Sequence, residues 1–246
     1  MTGRVMMQDT IAAIARLDDI ALVCDYVLRA CRTFGPRAAS YHLTPRFARQ
    51  TAPNIQLCSE GAPEAWKLLY RDPAFRSMDP IPDYIVETGR TMTLRSAIAG
   101  IRDSGEATEE NERYFAAMAE HGFDHGVGIP LYGPHNRKGF AAFAFDEAVG
   151  VKDDRVSAVE ALAKAAHHRI CELLETSEQH AVGLSKREQE VLEQIAAGCS
   201  NIEIAARLGI SPETVGTYVK RLFDKLDTRD RIGATVKGLK LGLIYA

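Results

Sequence analysis

Apolar residues recur along this chain at two spacings, and the alternation between them sets out its elements. Residues 19–33 place Ile20, Val23, Cys24, Val27, Leu28 and Cys31 on one side of a 3.6-residue turn and stop at Gly35, which predicts an amphipathic helix. Residues 38–43 and 54–58 read as short strands around a loop. Residues 62–70 and 80–87 return to helical spacing, each broken by a nearby proline, and 108–120 predict a further helix closed by Gly122. Residues 126–132 and 139–145 predict two strands joined by the turn Gly133-Pro134-His135-Asn136. A long helix rich in alanine and leucine follows from Lys152 to about Glu175. Helices at both ends of a run of antiparallel strands predict an α-β-α sandwich. Residues 176–183 are polar, lack an apolar period and end in glycine, and so are expected to be a linker.

The remaining residues change character. Ser185-Lys186-Arg187-Glu188 and Ser200-Asn201-Ile202-Glu203 are both capping boxes, in which serine satisfies an orphan N–H and glutamate reaches back to the cap. Ser211-Pro212 opens a third helix, with proline where its missing N–H is harmless. Gly198 and Gly209 stand where the first two helices should stop. Two short helices and a longer one, the last two joined by Gly209-Ile210-Ser211, make a helix-turn-helix. On the third helix Val215, Val219, Leu222 and Leu226 form an apolar stripe widened by Tyr218 and Phe223, opposite Glu213, Gly216, Thr217, Lys220 and Asp224. Thr214, Thr217, Lys220 and Arg221 are the candidates for contact with phosphates or base edges in a major groove.

Leu184 to Glu188, Gly198, Ser200-Asn201, Glu203-Ile204-Ala205, Leu208, Ile210-Ser211, Thr214-Val215, Lys225-Leu226 and Gly242-Leu243-Ile244 resemble the C-terminal DNA-binding domain of the LuxR family. The resemblance implies a four-helix, all-α domain over 184–246, whose third helix enters the major groove and whose fourth supports dimer contacts. Two positions depart from the family's pattern. Gly216 replaces a polar or basic residue, and Tyr218 stands where histidine or asparagine is common.

Length, charge and cysteine content agree with two domains. The chain has 246 residues, 46% of them hydrophobic, and a net charge of −3. Residues 183–246 hold ten Lys/Arg against eight Asp/Glu, a weak positive balance that points to DNA binding as a dimer. No run of eighteen apolar residues and no signal-peptide pattern occurs, so a cytoplasmic protein without membrane contact is expected. Cys24, Cys31, Cys58, Cys171 and Cys199 are odd in number and carry no metal-binding spacing, so buried reduced thiols are expected. His121, His125, His135 and the His167-His168 pair give no metal-ligand pattern, and neither a metal nor a cofactor is expected.

In the N-terminal part, Trp66 and Tyr70 are four residues apart, hence on one helix face, and Asp79 opens the next segment. An indole N–H, a phenol O–H and a carboxylate could grip a small ligand bearing a carbonyl and an amide. From the residues alone, a core pair of aromatics and a turn or helix-capping aspartate are the better explanation of the pattern. The spacing of Trp66, Tyr70 and Asp79-Pro80, followed by Gly122, Gly126 and Pro130, is similar to the autoinducer-binding domain of LuxR-type quorum-sensing regulators. That resemblance covers about residues 10–175. It implies that Trp66 meets a lactone carbonyl, that Tyr70 meets an acyl carbonyl, and that Asp79 accepts the amide N–H of an N-acyl-homoserine lactone. Ile81, Tyr114, Phe115, Met118 and the strand at 139–145 are expected to supply apolar walls. Leu94 and Ala62 occupy places where relatives carry tryptophan and tyrosine, which implies a pocket that is roomier or shaped for an unusual acyl group.

The expectation is an α+β protein with a ligand domain at 1–175, a linker at 176–183 and a DNA-binding domain at 184–246. It would act as a homodimeric transcriptional regulator on a roughly palindromic operator. The rival reading is a regulator of the same type that senses a non-lactone ligand or none. A receiver domain does not fit a chain that begins with helices, and no phosphate loop, nucleophile elbow or zinc motif supports an enzyme.

Overall fold

The computed structural model describes residues 3–43, 55–123, 125–134, 137–241 and 243–244. The chain divides into two compact units, Met1–Cys171 and Glu172–Ala246.

The first unit is built around a five-stranded sheet. Its elements begin with α1 (Gly3–Ile14), α2 (Ile20–Arg32), β1 (Ala38–Leu43) and β2 (Ile55–Glu60). Three short helices follow, α3 (Glu64–Arg71), α4 (Pro73–Arg76) and α5 (Ile81–Thr88), then β3 (Met92–Thr93), α6 (Leu94–Asp103) and α7 (Glu109–Glu120). The hairpin of β4 (Gly126–Tyr132) and β5 (Lys138–Ala144) precedes the long α8 (Asp154–Val182). The strands lie in the order β2-β1-β5-β4-β3, each pair antiparallel. The helix-strand architecture expected of the sequence is therefore present.

Alternation along the strands gives the sheet two unlike faces. Tyr41, Ala141 and Phe143 meet α2 and α8 through Val27, Leu28, Ala163, Ala166 and Ile170. On the opposite face the register aligns small residues in cross-strand rows. Ala38, Ala144 and Gly126 form one row, and Ser59, Ser40, Ala142 and Gly128 the next. The third row is bulky, with His42, Phe140 and Pro130. The small rows leave a hollow beneath the helices, whereas the bulky row closes against them. Gly128 is dictated by packing, because a Cβ there would come within 2.3 Å of Ile85 Cδ1 and 2.7 Å of Phe140.

Four elements in this unit, α1, α4, β3 and α6, go beyond the sequence reading. Helix α6 starts from a Thr93 cap, whose hydroxyl accepts from Ser96 N at 3.1 Å, and buries Leu94, Ala97 and Ile101 at helical spacing. Most of the segment expected as a linker, 176–183, is helical, because α8 continues to Val182. Residues 172–182 contain neither proline nor glycine, and polarity alone does not end a helix; Gly183, at φ +58°, follows its last residue. His135 and Asn136 of the expected turn lie outside the described residues, but Gly133 N donates to Arg137 O at 2.8 Å and closes that hairpin.

In the second unit α9 (Lys186–Ala196), α10 (Asn201–Leu208), α11 (Pro212–Lys225) and α12 (Arg231–Lys240) enclose one core of Val191, Leu192, Ile204, Val215, Leu222 and Leu243 with their neighbours. Both serine-glutamate capping boxes form, and Gly198 and Gly209 are left-handed at φ +81° and +66°. Glu188 does more than cap. Its side chain is 3% exposed and takes the Lys225 ammonium at 2.7 Å, tying the start of α9 to the end of α11. Burial pushes its carboxyl up, but Lys225 and the Ser185 cap outweigh this and hold it below the usual glutamate range.

Candidate ligand cavity and nucleic-acid interface

A cavity of about 150 Å³ lies between the small-residue rows and the helices above them. Its floor is Ala38, Ser40, Ala142 and Ala144, and its far wall is His42 and Phe140. Trp66 and Tyr70 descend from α3, Ile81 from α5, Leu94 from α6, and Tyr114 and Met118 from α7. Each pair of wall residues on one helix is spaced i,i+4, which is why short helices suffice to present them. The Trp66 and Tyr70 rings stack at 5.8 Å with 27° between planes, and Phe75, Tyr114 and Phe123 pack around the indole. Among the described residues the indole N–H has no acceptor.

Asp79 is the polar centre. Its Oδ1 accepts Ile81 N–H at 3.0 Å, and its Oδ2 accepts two phenols, Tyr70 at 2.9 Å and Tyr114 at 2.8 Å. Burial lifts the carboxyl to about 6, against the pull of these three hydrogen bonds. Burial, reinforced by the nearby carboxylate, drives both phenols well above their ordinary value, so they remain donors. Near neutral pH the centre is thus a largely ionised carboxylate facing a cavity, with lone pairs left over for a further donor.

Of the residues expected at the ligand, Trp66, Tyr70, Asp79, Ile81, Leu94, Tyr114 and Met118 line the cavity. Phe115 does not. One residue turns a helix by about 100°, so Tyr114 and Phe115 cannot share a face; Phe115 is buried instead beneath the Arg102 guanidinium at 5.5 Å. Sequence reasoning missed Ser40, His42, Ser59, Lys67 and Arg71, all of which border the cavity. The period-2 placement of 38, 40 and 42 in a strand was the available signal.

His167 has a structural role. Its Nδ1 accepts the Tyr41 hydroxyl at 2.7 Å and its Nε2 donates to Arg137 O at 3.2 Å, tying the sheet to α8. Burial lowers its ring to about 4, while His168 faces out as expected of adjacent helix positions.

In the second unit Thr214, Thr217, Lys220 and Arg221 are all exposed along α11, opposite buried Val215 and Leu222. Thr214 shares its hydroxyl with the Ser211 cap at 3.1 Å, Thr217 donates to Glu213 O at 3.1 Å, and Arg221 leans over Tyr218. Lys220 forms no ion pair among the described residues. A Cβ on Gly216 would meet only Asn201 Nδ2, at 4.0 Å, so packing does not require a glycine there.

Comparison with known proteins gives a family match in each unit. Residues 19–170 match the family model described as "Autoinducer binding domain", and residues 182–237 match "Bacterial regulatory proteins, luxR family". The quorum sensing-dependent transcriptional regulator RpaR of Rhodopseudomonas palustris is 30% identical over 197 residues, covering 78% of this chain and 76% of its own. Escherichia coli SdiA has the same fold, with a TM-score of 0.74 at 19% identity over the full length of both chains. CepR2 of Burkholderia cenocepacia, described as an N-acylhomoserine lactone dependent LuxR family factor, has a TM-score of 0.51 at 18% identity over 69% of this chain and 96% of its own. The chain spans about half (55%) of the length of one curated relative and 28% to 31% of others matched over 61 to 68 residues. With one family model covering most of the first unit and the other most of the second, this chain belongs to the luxR family of bacterial regulatory proteins and carries an autoinducer-binding domain.

Proposed function

We propose that the protein is a transcriptional regulator that binds an N-acyl-homoserine lactone in the Asp79 cavity and DNA through α11. Residues 1–175 serve the ligand, 184–246 serve DNA, and residues 176–183, helical as far as Val182, lie between them in sequence. The observation that carries the reading is the convergence of an ionisable carboxylate, two phenols and a free indole N–H on one buried cavity. A lactone offers the matching set. Its amide N–H donates to Asp79, its acyl carbonyl accepts from Tyr70, and its ring carbonyl accepts from Trp66. Tyr70 has to turn its hydroxyl from Asp79 to the ligand for this, and Tyr114 stays on Oδ2 to keep the carboxylate oriented. No step in this scheme is catalytic.

On the DNA side Lys220, Arg221, Thr214 and Thr217 supply donors for the major groove. A homodimer reading two half-sites about 10 base pairs apart, or a multiple of that, fits the helix-turn-helix. The test pairs thermal shift with fluorescence anisotropy. Octanoyl-homoserine lactone should stabilise the wild type, and Asp79→Asn should lose most of that stabilisation while still folding. A regulator that senses a non-lactone ligand, as smaller residues at Ala62 and Leu94 would suit, would show no shift with any lactone but would still bind operator DNA.

A further inference from the structure

One pair of thiols takes no part in the ligand or DNA chemistry described above. Cys58 is the cross-strand partner of Tyr41, so the two side chains leave the sheet on the same face, toward α2. Cys24 comes down to that face from α2, within the buried series Val23, Cys24, Val27, Leu28 and Cys31. Helix α2 packs on β2, and an ion pair of Arg32 with Glu60 at 2.7 Å fastens the ends of the two elements. The Cys24 and Cys58 thiols meet between these elements and hydrogen-bond to each other. Both are free.

Their surroundings differ. Cys24 is 4% exposed, whereas Cys58 is half-buried on β2, the edge strand of the sheet. A small oxidant arriving from solvent therefore reaches Cys58 first. The hydrogen bond from Cys58 holds the Cys24 thiol below its ordinary value, which suits the inner sulfur to attack at a second step. An accessible cysteine beside a resolving one is the arrangement that reversible thiol oxidation needs. The other three cysteines, Cys31, Cys171 and Cys199, are buried.

We infer that Cys24 and Cys58 form a peroxide-responsive modification site that closes to an intramolecular disulfide and ties α2 to the edge of the sheet. In the first step the Cys58 sulfur attacks one oxygen of hydrogen peroxide and the O–O bond breaks. The other oxygen leaves as water with the thiol proton, and Cys58 becomes a sulfenic acid. In the second step the Cys24 sulfur attacks the Cys58 sulfur, the S–O bond breaks, and the hydroxyl leaves as water with the Cys24 proton. The two sulfurs together lose two electrons, and one peroxide becomes two waters. Ser59, the residue after Cys58, borders the ligand cavity, so the tie forms beside the cavity wall. The site does not depend on which ligand the cavity takes.

The experiment exposes the reduced full chain to equimolar hydrogen peroxide, blocks the remaining thiols and maps the cysteines by mass spectrometry. Loss of two of the five thiols is expected, with Cys24 joined to Cys58 within one chain and both restored by dithiothreitol. Cys24→Ser should stop Cys58 at the sulfenic acid, which dimedone traps, and Cys58→Ser should leave Cys24 reduced. The oxidised wild type should unfold several degrees higher than the reduced protein, a shift absent from both variants, because the bond constrains the unfolded chain. No loss of thiols, a bond between other cysteines or between two chains, or an oxidised chain that unfolds no higher overturns the inference.

Discussion

Tyr114 donates its hydroxyl to Oδ2 of Asp79 at 2.8 Å, across thirty-five residues of sequence. The same oxygen takes the Tyr70 hydroxyl, so one carboxylate oxygen holds α3 and α7 to the segment that opens α5.

Stability should therefore depend on pH through Asp79. Burial raises its carboxyl from 3.8 to about 6, so the folded chain holds the proton more tightly than the unfolded one. The contribution is fully present below about pH 4 and is lost as pH rises through about 6, on the order of 3 kcal/mol in all. Urea unfolding without ligand at several pH values should show this fall in the wild type, with the corresponding component missing in Asp79→Asn. Identical pH profiles for the two proteins would contradict it.

Tyr114→Phe removes a donor that favours the charged carboxylate. Asp79 should then titrate above about 6, and the pH at which lactone affinity is half-maximal should move up with it. Loss of one hydrogen bond to a charged group costs about 1.5–3 kcal/mol. An unshifted midpoint would mean that the Tyr114 hydroxyl acts by packing alone.

Leu94→Trp would add bulk to the cavity wall. Leu94 already lies so close to β4 that a Cβ on Gly126 would come within 2.5 Å of it, so the larger ring has to grow toward the ligand. A stability loss of about 1–3 kcal/mol is expected. Thermal shifts with branched or aryl lactones should fall more than those with short straight-chain ones. Equal loss across the panel would show that Leu94 only fills the core.

Lys220→Ala should weaken operator binding. If the ammonium holds a phosphate, the slope of log affinity against log salt should drop by about 1; if it reads a base, discrimination at one position should relax by about 1–3 kcal/mol. Anisotropy titrations at several salt concentrations separate the two, and no change in either removes Lys220 from the interface.

Lys225→Met leaves Glu188 buried without its cation. Allowing for the partial exposure of Lys225, a loss of about 2–3 kcal/mol is expected in the second unit. Glu188→Gln added to it should recover part of that loss, as amide exchange on α9 and α11 would report.

Much of this was legible in the residues, and the exceptions have physical causes. Capping chemistry is local, so Ser185, Ser200, Ser211, Gly198 and Gly209 placed α9 to α11 almost to the residue. The i,i+4 spacing of Trp66 and Tyr70 put both on one helix face, and the family resemblance assigned that face to a ligand. Adjacency misled at Phe115, where the 100° helical step should have separated it from Tyr114. Helix α6 is harder to read because its ten residues carry only three buried positions, Leu94, Ala97 and Ile101, and Gly100 interrupts the series. Ser40 and His42 share a face with Ala38 by the period of 2, but which face of β1 meets the cavity depends on the helices packed over the sheet, which the strand alone does not display.

The hollow beneath the helices exists because the pairing register sets Ala38 against Ala144 and Ser40 against Ala142. A one-residue slip of β1 against β5 would turn Tyr41 inward, and the space would vanish with every backbone hydrogen bond still made. The dimensions of the cavity are thus written in the backbone ladder. Changes at Ala142 or Ala144 can recalibrate them, one methyl at a time, while the fold is kept.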